Sequence, residues 1–165
     1  VAKADLKSHD SAIRKLMDEK GGDTSAITDI SRNTIVVPKS NISKATSELF
    51  NHEQAIKPKT ITHTKDTLGY SGGKVNIKTP NGHIAEVQIN TPEMIFAKEP
   101  VAVSKKILGD KVFNELKAKF DAKGIDGGRG HVFYEQFRNL PWSEKVQGRN
   151  HQIAKESIDY YSKFR

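Results

Sequence analysis

The chain has 165 residues, with 27 Lys+Arg against 20 Asp+Glu, a formal charge of +7 and a pI of about 9.5. That length suits a single domain, or one with a small appendage, and is enough to bury a real core. The lack of cysteine excludes disulfide frameworks, zinc ribbons and thiol nucleophiles, and no apolar run approaches the ~18 residues of a membrane span. Hydrophobic residues make up a lean 35%, but 7 Phe, 4 Tyr and 1 Trp argue against a disordered tail. No signal peptide is visible. The start at Val1 reads as a processed piece or an excised domain of a longer protein. Excess positive charge favours polyanionic partners: nucleotides, RNA or an acidic inhibitor.

Ser8-His9-Asp10 precede a run with Ala12, Ile13, Leu16 and Met17 at helical spacing, and Gly21-Gly22 end it, which predicts a helix over about 9–20. Asn33 to Val37 predicts a short β-branched strand, stopped by Pro38. Ser40 or Asn41 is placed to cap a second helix with Ile42, Ala45, Leu49 and Phe50 inward. Residues 51–73 predict a strand and an irregular, ligand-facing loop. Lys74–Thr79 and His83–Thr91 alternate around Pro80-Asn81-Gly82, a strong hairpin signal. The alternation sends Val75, Ile77, Ala85, Val87 and Ile89 to one face, and Lys74, Asn76, Lys78, Glu86, Gln88 and Asn90 to a polar platform on the other. Thr91-Pro92-Glu93 starts a helix that ends before Pro100. Val112, Phe113, Leu116 and Phe120 mark another, closed by Gly124, and the Lys-rich stretch 105–123 reads as one solvated helix face, or as an RNA or inhibitor surface. His131–Asn139 and about 149–164 complete the helices, the last with Ile153, Ile158 and Tyr161 inward. Trp142 is expected as a packing anchor. The sum is an α+β domain over 1–165, with a mixed, mainly antiparallel sheet flanked by helices and 140–165 as a C-terminal helical appendage.

Three groups of residues carry possible chemistry. Asp29 precedes a strand, and Glu86 and Gln88 stand two apart on another. Two such carboxylates suit one Mg²⁺, which takes hard oxygen ligands, although a solvated sheet face has the same composition. Lys7, Ser11 and Lys15 recur every four residues, so two ammonium groups and a hydroxyl share one side of a helix or its entry; they suit a triphosphate, or an ordinary basic surface. Gly69-Tyr70-Ser71-Gly72-Gly73 allows close backbone approach and offers a stacking plane, or is a glycine-rich loop with a half-buried Tyr. The six histidines fall at no metal-ligand spacing; His131, opening a helix beside a glycine loop, stands out among them.

In order, KSHDSAIRK (7–15), DISRNTIVV (29–37), LGYSGGKVNI (68–77) and EVQINTPEM (86–94) resemble the RelA/SpoT-type nucleotide pyrophosphokinases, the alarmone synthetases. The resemblance spans roughly residues 3–139, and GHVFYEQFR (130–138) is similar to the phage- and toxin-associated branch. It implies a nucleotidyltransferase-like mixed sheet, binding of ATP and Mg²⁺, and transfer of pyrophosphate to a nucleotide or RNA 3′-hydroxyl with release of AMP. It implies Lys7, Ser11 and Lys15 on ATP, Asp29 and Glu86 as catalytic metal ligands, Tyr70 stacking on the acceptor base, and Gln88 lining the acceptor site. The chain departs from the family's pattern where Asp5, Thr34 and Ser71 stand in place of arginines. Three readings of these departures stand: Arg32 and Lys74 substitute as nearby cations, Arg32 on ATP and Lys74 on the acceptor; the acceptor differs; or the site has lost pyrophosphate transfer. The acceptor is a guanosine nucleotide, an adenosine nucleotide or a tRNA 3′ end. The branch further implies the toxic C-terminal domain of a secreted interbacterial effector, acting in a target-cell cytoplasm, with a cognate immunity protein and no membrane binding of its own. The alternative is a degenerate module of the same fold that binds or cleaves RNA.

Overall fold

A computed structural model describes residues 2–3, 9–23 and 27–165, so Lys7 and Asp5 lie outside the described residues. Strands β1 (Ala2–Lys3), β2 (Ser31–Val36), β3 (Ala55–Ile61), β4 (Gly72–Lys78) and β5 (Ile84–Asn90) form one sheet in the order β1-β2-β5-β4-β3. The fold is α+β with a mixed sheet. β1 pairs antiparallel with β2, and β4 with β5. The β4–β5 connection turns on Pro80-Asn81-Gly82: Gly82 N–H reaches the Thr79 carbonyl (2.8 Å), and Gly82 takes φ 84°, where a Cβ would be strained.

The chain divides into two compact units, Val1–Lys59 with Gly73–Ile89, and Thr60–Gly72 with Asn90–Arg165. The first holds most of the sheet with helices α1 (His9–Lys20) and α2 (Ile42–Phe50). In α1 the inward face differs from the one expected. Ile13 and Met17 are exposed, whereas Ser11, Ala12, Lys15 and Leu16 are partly buried. The helix turns the candidate polar pair inward at the expense of two apolar side chains, because Lys15 has a buried carboxylate to meet. The expected side-chain cap of α2 is not made. A 3₁₀ turn over Lys39–Asn41 leads into it, so Asn41 is already helical (φ −107°, ψ −4°) and cannot adopt the extended cap geometry.

The second unit is built on α3 (Pro92–Lys98). Thr91 caps it by accepting Met94 N–H (3.3 Å), with Pro92 at the first turn. Met94, Ile95, Phe96 and Ala97 are all buried, so α3 is wrapped by other helices. Phe96 meets Phe113, Phe120 and Phe164 at centroid distances of 5.4, 5.6 and 6.2 Å. Each buried Phe contributes roughly 1.5–3 kcal/mol. The Lys-rich stretch is not one helix: α4 (Val101–Leu108) and α5 (Asp110–Asp121) break at Gly109, φ 77°. Its lysines also lie on the core edge, with Lys105 over the Phe113 ring and Lys119 and Lys123 over Phe120.

After α6 (Gly130–Arg138), the four-residue α7 (Trp142–Lys145) leaves Trp142 77% exposed, so it anchors nothing. Tyr160, Tyr161 and Phe164, near the C-terminus, belong to the core cluster of this unit. In α8 (Gln152–Ser162) the most buried positions are Ala154, Ser157, Tyr160 and the expected Tyr161, while the expected Ile153 and Ile158 are only partly buried at the edges of that face, Ile153 against the core. Two hydroxyls explain this. Ser157 and Tyr160 both find buried carbonyls, those of Leu68 and Ala97. His151 caps α8, Nδ1 accepting Ile153 N–H (3.2 Å) while Nε2 faces Glu144 (3.2 Å).

Candidate active site

The hairpin register decides the first group. Lys74 lies opposite Gln88 and Asn76 opposite Glu86, so these four share one face, while Val75, 1% exposed, pairs with Val87 on the other. The polar face is not a solvated platform, because Glu86 is buried at 7% exposure. A buried carboxylate needs a counter-charge and hydrogen bonds. Glu86 has both: Gln88 Nε2 donates to Oε1 (2.7 Å) and Lys74 Nζ to Oε2 (3.3 Å). Lys74 reaches Glu86 diagonally across the strands.

The second group joins α1 to the sheet. Asp29 is buried just before β2, and Lys15 Nζ donates to its Oδ2 at 2.9 Å. Ser11 sits one turn earlier on the same helix, partly buried. Arg32, within β2, carries a buried Nε with no hydrogen-bond partner among the described residues. β2 and β5 are adjacent in the sheet, with Asp29 just ahead of β2 and Glu86 within β5. Each carboxylate is held by its own lysine. Among the described residues no three His, Cys, Asp or Glu side chains gather at metal-ligand distance. Asp29 and Glu86 are each a buried carboxylate that offers hard oxygen donors. That set fits Mg²⁺, which takes one or two carboxylates and completes its shell with phosphate and water.

Tyr70 belongs to the second unit. Its hydroxyl accepts Asn90 Nδ2 (2.6 Å), its ring meets Tyr161 edge-on (5.7 Å), and the Lys98 ammonium lies 5.4 Å from the centroid. Asn90, 1% exposed, keeps a buried Oδ1 with no hydrogen bond among the described residues, and a Cβ on Gly72 would come within 2.6 Å of it. Sequence reasoning places Asn90 on the polar platform without a role of its own, and does not single out Lys98. Asn90 carried a signal, since it continues the alternation of Glu86 and Gln88; Lys98 carried none. His131 is exposed, its ring 6.3 Å from Tyr134.

No protein-family model matches the chain. Over 166 aligned residues it is 38% identical to the (p)ppApp synthetase toxin Tas1 of Pseudomonas aeruginosa (strain UCBPP-PA14), covering 100% of this chain and 36% of that protein. It superposes on the type VI effector Tas1, solved in complex with its immunity protein, with a TM-score of 0.84 at 36% identity, over 99% of this chain and 80% of that one. The chain belongs to the RelA/SpoT-like pyrophosphokinase toxin family. It spans about a third of the length of its curated relative. Small alarmone synthetase 1 from Bacillus subtilis, bound to its product pppGpp, matches with a TM-score of 0.48 at 15% identity, over 99% of this chain and 75% of that one.

Proposed function

We propose that the chain is a pyrophosphokinase that moves the β,γ-pyrophosphate of ATP onto the 3′-hydroxyl of an adenosine nucleotide. The observation that carries this reading is Glu86, a buried carboxylate gripped by Lys74 and Gln88 within the family's EVQINT stretch. In the reaction the acceptor's 3′-oxygen attacks the β-phosphorus of ATP. The bond between that phosphorus and the oxygen bridging to the α-phosphorus breaks. AMP leaves with the bridging oxygen, and the hydroxyl proton is released. Such transfers depend on positioning and charge neutralisation. Lys15 and Ser11 on α1, with Lys7 and Arg32, bind the ATP phosphates. Glu86 fixes the acceptor hydroxyl from a rigid strand, Lys74 and Gln88 line the acceptor side, and Tyr70 stacks on the base. Asp29 and Glu86 would hold Mg²⁺, which when bound offsets part of the roughly four negative charges of ATP.

The adenosine acceptor is favoured over a guanosine nucleotide or a tRNA end by the similarity to a (p)ppApp synthetase. The likeness to a type VI effector supports action as the toxic part of a larger delivered protein in a target-cell cytoplasm, countered by a cognate immunity protein. The test is incubation with labelled ATP, Mg²⁺ and, separately, ADP, GDP, GTP or total tRNA. AMP release with a 3′-pyrophosphorylated adenosine nucleotide is expected. No AMP release in any arm refutes the activity, and a product only with GDP, GTP or tRNA refutes the acceptor.

A further inference from the structure

The loop that carries Tyr70 is held from one side to an unusual degree. Surface loops commonly leave their carbonyls to water. Here three side chains from a single C-terminal stretch take four of them. Arg149 Nη1 donates to the carbonyls of His63 (3.0 Å) and Asp66, the buried Ser157 hydroxyl donates to that of Leu68 (2.8 Å), and Arg165 Nη1 donates to that of Gly69 (2.8 Å). From within the loop, Asp66 Oδ2 accepts the N–H groups of Leu68 and Tyr70, both at 3.0 Å. Gly69, at φ 77°, presses against α8 so closely that a Cβ would lie 2.8 Å from Ile158 Cα. Tyr70 is thus reached through a backbone whose donors and acceptors are fixed on both sides. Two guanidinium groups are committed side by side to this task. Burial, and then the neighbouring Arg149, draw Arg165 below the ordinary arginine value.

We infer that Arg149, Ser157 and Arg165 are positioning residues for acceptor binding, holding the Leu68-Gly69-Tyr70 backbone so that the Tyr70 ring is in place before the base arrives. The inference rests on the reading of Tyr70 as the acceptor's stacking plane. A stacking plane on a free loop would have to be ordered at each binding event, and the cost would appear as weaker acceptor affinity. The donor ATP, bound by α1 and β2, is not sensitive to this cost.

The test is steady-state kinetics with labelled ADP as acceptor and ATP as donor. Arg165→Gln, Arg149→Gln and Ser157→Ala are compared with Tyr70→Ala, and Lys155→Gln, an exposed α8 position, is the control. Arg165 is exposed enough that its variant tests the idea even should Ser157→Ala fold poorly. Each lost charged donor is expected to raise KM for ADP by about tenfold, with kcat and KM for ATP within about twofold of the parent. Arg165→Lys, which keeps a donor for the Gly69 carbonyl, is expected to recover part of the loss. An unchanged KM for ADP in Arg165→Gln and Arg149→Gln, while Tyr70→Ala raises it, overturns the inference alone. A matching rise in KM for ATP also overturns it, because that is what general loss of structure produces. An unchanged KM for ADP in Tyr70→Ala overturns the stacking reading and the inference with it.

Discussion

Lys74→Met tests whether the Glu86 environment is the electrostatic unit described above. The change removes the ammonium 3.3 Å from Oε2 and keeps most of the aliphatic stem. Two unit charges at that distance attract by about 5 kcal/mol at an effective dielectric of about 20. The Lys74 side chain is 40% exposed, so water screens much of this, whereas the Glu86 side chain is 9% exposed and finds little replacement solvent. The net cost is expected at about 1–2 kcal/mol of stability. Glu86→Gln removes the other charge but turns an amide donor toward the Lys74 ammonium, or toward Gln88 if it flips. The double variant leaves neither charge stranded. Urea unfolding of the parent, both single variants and the double variant gives the coupling, expected near 1 kcal/mol, with the double more stable than the two single losses predict. Glu86→Gln is also expected to lower pyrophosphate transfer by at least about a hundredfold while the chain stays folded. Additive losses, with coupling under about 0.3 kcal/mol, would show that the pair does not act as a unit. Near-parental transfer by Glu86→Gln would remove Glu86 from the mechanism.

Thr91→Ala deletes the side-chain cap on α3 and leaves Met94 N–H without its acceptor; thermal unfolding should show a loss of about 1 kcal/mol, with KM values unchanged in the folded protein. The Tyr160 hydroxyl is shared between the carbonyls of Ala97 (2.9 Å) and Asp126 (3.0 Å) and accepts Arg129 N–H (3.2 Å), and burial pushes its phenol up to about 12. The folded form keeps the proton while the unfolded chain loses it, so stability is intact below pH 10 and falls as pH rises toward 12, by roughly 2–3 kcal/mol in all. Tyr160→Phe should start less stable at pH 7 and flatten that alkaline slope, measured by urea unfolding at pH 7, 10 and 11. A slope identical to the parent's would show that this phenol is not the group responsible.

Local patterns in the chain were enough for the α+β class, the hairpin with its Asn-Gly turn, the Thr91-Pro92 start of α3 and the pairing of Glu86 with Gln88 on one strand face. Each depends on spacing along a single element, and the 2-residue and 3.6-residue periods are properties of the backbone itself. The same patterns misjudged α1, where Ile13 and Met17 face outward, and Trp142, which a four-residue helix cannot bury. They place a helix where α5 lies but miss α4, and read the lysines of 105–123 as one helix face although the two helices break at Gly109. Pro100 marks the end of α3 in the sequence, but a proline at a helix entry begins the next helix equally well. Pairing across long sequence separations was decided by tertiary structure alone. Lys15 meets Asp29 across 14 residues, Asn90 meets Tyr70 across 20, and Arg165 meets the Gly69 carbonyl across 96. No periodicity encodes such contacts, because a buried carboxylate or an unpaired loop carbonyl selects its partner from whatever the fold brings near it.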